Sequence, residues 1–152
     1  MGRLLEINAR FVALAGSRAA ESGTLLLVRL ALAGVFWRSG QTKLAEGTWF
    51  TLSDTTYQLF REEYAGVPLP PDFAAVAAAS AEHVFPVLLA IGLTTRVSAL
   101  ALLGMTMVIQ IFVYPEAWWP VHALWVALAL VLFVRGGGLL SFDALLAARR
   151  RP

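Results

Sequence analysis

The chain has 152 residues, of which 59% are hydrophobic and 14% charged, with a formal net charge of +2 and no cysteine. A soluble domain carries about 45–50% apolar and about 25% charged residues, so this excess is too large for one buried core and calls for lipid. The missing thiols exclude disulfides, thiolate metal sites and dithiol chemistry within the chain, and no basic, aromatic-interleaved patch points to nucleic acid.

Residues 3–18 place Leu4, Ile7, Phe11 and Leu14 on one helical face with Arg3, Arg10 and Arg18 around the rest. That pattern predicts an amphipathic helix lying on a membrane surface. Glu6 interrupts the apolar stretch, which argues against a cleaved signal peptide. Four long apolar runs follow, at about 24–40, 73–93, 96–114 and 120–135. Each approaches the roughly 17–25 residues that cross a bilayer core. The expected fold is therefore all-α, a single four-span membrane bundle over 1–152. Between the first two runs, Tyr57, Phe60 and Tyr64 recur at helical spacing, with Asp54 as a candidate cap. This predicts a short interfacial helix with an aromatic underside. Ser141 is expected to cap a short tail helix after the glycine run 136–138.

Arg3, Arg10, Arg18, Arg96, Arg135, Arg149, Arg150 and Arg151 fall on one side of four spans. The other side has Arg38, Lys43 and Arg61 and carries six acids, Glu46, Asp54, Glu62, Glu63, Asp72 and Glu116. The positive-inside rule makes the basic side, with both termini, cytoplasmic.

Ionisable groups within spans are costly and usually face the bundle interior. Here they are Arg29, Glu82, His83 and His122, with Lys43 and Gln110 nearer the outer edge. At ~1.5 Å per residue, Glu82 lies about 15 Å below Asp72, and Arg29 about 21 Å below Lys43. That predicts an Arg29–Glu82 ion pair. The helical phase of all six residues predicts a small pocket open to the non-cytoplasmic side. Each group also has a purely structural reading: a buried pair that fixes register, a packed His83, an interfacial His122. The two histidines differ in depth by about 12 Å, which argues against a haem between them, and a metal site from them and Glu82 is equally disfavoured. No nucleophile triad, phosphate loop or dinucleotide fingerprint is present.

Three segments, in order, carry a resemblance: LLLVRLALAGVFWRSGQTKL, AEHVFPVLLAIGLTTRVSAL and HALWVALALVLFVRGGGLLSFDALL. With Arg29, Lys43, Glu82 and His122 at their positions within them, the chain resembles the DoxX family of small four-span bacterial membrane proteins. The resemblance implies a bacterial inner-membrane protein. It also suggests membrane redox partners, because the family takes its name from a subunit of a quinone-linked oxidoreductase. On that basis the expected role is a membrane subunit or anchor of a redox complex, with quinone as candidate cofactor. A redox enzyme or a second copy of the chain is the candidate partner. The alternatives are a non-catalytic scaffold and a metal- or metabolite-handling protein.

Overall fold

The computed structural model describes residues 2–150. Helix α1 spans Gly2–Ala15 and buries none of its residues. Helix α2, Arg18–Gln41, starts well before its apolar run because Ser17 caps it, its side chain accepting from Ala20 N at 3.2 Å. Helix α3 covers Asp54–Glu62, α4 Pro71–Ile91 and α5 Thr95–Phe112. A 3-10 turn at Pro115–Ala117 and a π-helical turn at Trp118–His122 lead into α6, Ala123–Arg135. Pro120 cannot donate a backbone hydrogen bond, which is a local reason for the irregular entry. Helix α7, Phe142–Arg149, begins at Ser141, whose side chain accepts from Ala144 N.

Four helical stretches are long and apolar enough to cross a membrane: α2, α4, α5 and the continuous Pro115–Arg135. At most a third of each is buried inside the molecule. Leu27, Val84, Val97, Leu100, Ile111 and Val134 point outward, a belt that would aggregate in water and that hydrocarbon covers without cost. Inside, Leu25, Leu32, Phe36, Leu89, Leu102 and Leu132 form the main core, with Ala33, Ala99 and Ala129 as the small residues between them. Helix α2 packs chiefly on α4, and α5 packs on both α4 and α6.

Helices α2 and α4 meet tightly at Gly40. A Cβ there would stand 2.9 Å from His83 Cε1 and 3.1 Å from Glu82 Cβ, so a larger residue would push those side chains aside. The α4–α5 hairpin turns on Gly92 and Thr94, both with positive φ, 72° and 52°. Asp143 of α7 secures it, its carboxylate accepting from Thr94 N and Thr95 N at 2.8 Å each. Arg96 donates to the last carbonyls of α6, Phe133 O at 3.0 Å and Val134 O at 3.2 Å, and Arg135 pairs with Glu21 of α2. This basic end of the bundle is thus tied across five helices. At the opposite, acidic end, α3 lies over the start of α4. Phe60 packs on Ala74 and Ala75, with Tyr57, Tyr64 and Ala78 around it. The aromatic face predicted for α3 therefore rests on an alanine stripe of the protein. Its cap is Ser53, not Asp54: the Ser53 side chain accepts from Thr56 N, while Asp54 sits in the first turn.

Candidate functional site

The expected Arg29–Glu82 ion pair does not form. Arg29 is fully buried and reaches down α4 to its C-terminus, donating from Nη1 to Ala90 O at 3.0 Å and Leu89 O at 3.3 Å. Nη2 donates to Leu140 O. Leu89 O and Ala90 O lie in the last turn of α4, where the macrodipole is negative, and Leu140 O belongs to the connection before α7. Gly92 makes room, since a Cβ there would lie 2.2 Å from Arg29 Nη1. The depth estimate failed because it set Asp72 level with Lys43. In the structure the first turns of α4 pack on α3 instead, so α2 sits deeper and Arg29 lands about two helical turns beyond Glu82.

Glu82 pairs instead with Lys43, Nζ to Oε2 at 2.7 Å, with side-chain exposures of 3% and 9%. Ser39 completes the cluster. Its hydroxyl donates to Glu82 Oε1 at 3.0 Å and accepts from Lys43 Nζ at 3.1 Å. Glu82 Oε2 meets the ammonium off axis and accepts no aligned hydrogen bond, so a buried carboxylate oxygen keeps unused acceptor capacity. The backbone of Lys43 is fixed as well: its carbonyl accepts from Ser53 N at 3.0 Å and from the buried Thr56 hydroxyl at 2.9 Å. Pro86, four residues on, has no N–H to offer the Glu82 carbonyl.

The pair opens on a cavity of about 250 Å³ between α3, α4 and α5. Apart from Lys43 and Glu82, its walls are apolar or aromatic, including Phe60, Tyr64, Ala78, Ala81, Met105 and Ile109. Burial, together with the nearby charges of Tyr114, Glu82 and Glu63, pushes the Tyr64 phenol up to about 12. Tyr64 stands edge-on to Tyr114 at 6.4 Å. The Tyr114 hydroxyl donates to Glu63, which raises its own pKa to about 12.

The remaining candidates lie elsewhere. His83 faces away from this cavity, into a groove lined by Trp37, Gln41, Trp49 and Phe50. Its Nδ1 lies 2.7 Å from Ala79 O; a carbonyl only accepts, so Nδ1 carries the proton and Nε2 is left to accept from Gln41 Nε2 at 3.0 Å. Gln110 and His122 form a separate pair between α5 and the entry to α6, Nδ1 to Oε1 at 2.7 Å. The Gln110 amide also donates to Pro115 O at 2.8 Å, and the His122 ring lies tilted against Trp125, centroids 5.2 Å apart. Of the six predicted residues the structure joins Lys43 with Glu82 and, separately, Gln110 with His122. Ser39 is absent from the sequence reading, and Tyr64 enters it only as part of an aromatic helix face. Ser39 was in reach, because it stands one turn before Lys43 on the same helical face. Among the described residues no three His, Asp or Glu side chains gather as metal ligands would.

The DoxX family model matches residues 24–115, a stretch holding Arg29, Lys43, Glu82, His83 and Gln110. An uncharacterized protein of Haemophilus influenzae is 31% identical over 139 residues, covering 81% of this chain and 83% of the relative. No solved structure matches. The chain belongs to the DoxX family.

Proposed function

We propose that this protein is a bacterial inner-membrane subunit or anchor of a redox complex that holds the headgroup of a lipid-soluble quinone at Lys43 and Glu82. The observation that carries this reading is the buried Lys43–Glu82 ion pair at the end of an otherwise apolar cavity. The two groups suit both redox forms. The Lys43 ammonium donates to a quinone carbonyl, and the Glu82 carboxylate accepts from a quinol hydroxyl. A volume of about 250 Å³ falls below the ~300–1,000 Å³ of drug-sized ligand sites, which favours a single-ring headgroup with its tail in the bilayer. Gln110, His83 and His122 lie outside this site, and Arg29 serves only the fold. The positive-inside rule places the basic end and both termini in the cytoplasm. It sets the cavity in the outer half of the bilayer, with α1 on the inner surface and α3 at the outer interface.

The test is a titration of the purified protein with quinone and quinol analogues. Loss of a charge-assisted hydrogen bond predicts roughly 10–100-fold weaker quinol binding in Glu82→Gln, with quinone binding hit harder by Lys43→Met. The double variant Lys43→Met/Glu82→Leu removes both charges and should remain folded while binding neither form. Wild-type affinity in the folded double variant would defeat the proposal. Full cellular function in that variant would favour the alternative of a scaffold, in which the pair only sets register between α2 and α4.

A further inference from the structure

We infer a second site, for the phosphate of an anionic phospholipid, at the basic end of the bundle. A groove of about 510 Å³ runs there between α2, α5, α6 and α7. Three guanidiniums line it, Arg18, Arg96 and Arg135, all on exposed residues. Two of them are held in place. Arg96 uses Nε and Nη2 on the carbonyls ending α6, and Arg135 uses Nε and Nη2 on Glu21. Each therefore keeps Nη1 without a hydrogen-bond partner among the described residues. Arg18 makes no side-chain hydrogen bond among the described residues. The two acids in the groove are already engaged, Glu21 by Arg135 and Asp143 by the Thr94 and Thr95 amides. Three cations against two acids leave the groove one positive charge in excess.

A second observation points the same way. Thr95 lines the groove, is fully buried, and its Oγ1 has no hydrogen-bond partner. An unpaired buried hydroxyl is destabilising, and a hydrogen bond to a phosphate oxygen would satisfy it. The glycines of the α6–α7 connection keep the place open, since a Cβ on Gly137 would stand 2.7 Å from Thr95 Oγ1. The ligand is a lipid phosphate, not a free one, because the groove continues into apolar surface. Val97 and Leu139 on its rim are 63% and 59% exposed; Val97 lies on α5, which runs on through the hydrocarbon, and Leu139 on the α6–α7 connection. Basic pockets between spans on the cytoplasmic side are where acidic headgroups bind.

Native mass spectrometry of the detergent-solubilised full chain tests this, with phosphatidylglycerol, phosphatidylcholine and inorganic phosphate as probes. Phosphatidylglycerol is expected to be retained, and the other two are not. Arg18→Gln changes an exposed residue with no partner, so folding is spared. It should weaken retention roughly fivefold, the equivalent of about 1 kcal/mol per arginine at the surface. Thr95→Val keeps the side chain's shape, removes the orphan hydroxyl, and should weaken retention while leaving the melting temperature equal or higher. Equal retention of phosphatidylcholine would overturn the site, as would retention unmoved in both variants. Inorganic phosphate binding as tightly as the lipid would overturn its assignment to a lipid.

Discussion

Arg29 carries a full charge through the bundle without any carboxylate in contact. Its hydrogen bonds go to Leu89 O, Ala90 O and Leu140 O, so the α4 macrodipole and α7 supply the compensating negative potential. Replacing it by Met strands those carbonyls and should cost about 3 kcal/mol or more, seen as a large fall in melting temperature in detergent. Gly92→Ala should be at least as damaging, because its φ is +72° and its Cβ would sit on Arg29 Nη1. Neither substitution is expected to act on quinone affinity in whatever fraction remains folded. That a charge sits inside each of the first two spans was legible from the residues alone. Which carbonyl or side chain each charge meets was not, since that depends on how far α2 slides along α4, and a one-turn error exchanges every partner.

Helix α3 is the element that turns a charge pair into a site. It holds the Lys43 carbonyl through Ser53 and Thr56, walls the cavity with Phe60 and Tyr64, and is linked to the α5–α6 connection through Glu63 and Tyr114. The aromatic spacing of α3 announced a helix here. The surface it packs on is the alanines of α4 at positions 74, 75 and 78. What periodicity could not say is that these two faces meet each other and not lipid. Tyr64 and Tyr114 titrate near about 12, above the ordinary 10.0. A raised folded-state pKa means the neutral phenols stabilise the fold fully below pH 10, and that this contribution is lost as pH climbs through about 12. Ultraviolet titration of phenolate should show two late steps, one lost in Tyr64→Phe and the other in Tyr114→Phe. Tyrosines that both ionise near the ordinary value would contradict the packing of α3 on the bundle.

At the scale of the whole molecule, composition alone demanded a membrane, and four apolar helices are present. Orientation rests on arginine distribution and is open to direct assay, because a chain without cysteine takes single probes cleanly. In intact cells stripped of outer membrane, an impermeant maleimide should label Glu46→Cys and spare Ala147→Cys. The reverse pattern would invert the topology and put the acidic end in the cytoplasm. The bundle has two differently equipped ends, an acidic one with a charge pair in an apolar cavity and a basic one with arginines about a groove. The central claim concerns the first. A photoreactive single-ring quinone analogue, cross-linked in the membrane and mapped by peptide mass spectrometry, should modify the α3 and α5 walls around Tyr64 and Met105, and unlabelled quinol should suppress that labelling. Cross-links confined to the Trp37–His83 groove, or spread evenly over the lipid-facing belt, would contradict the account.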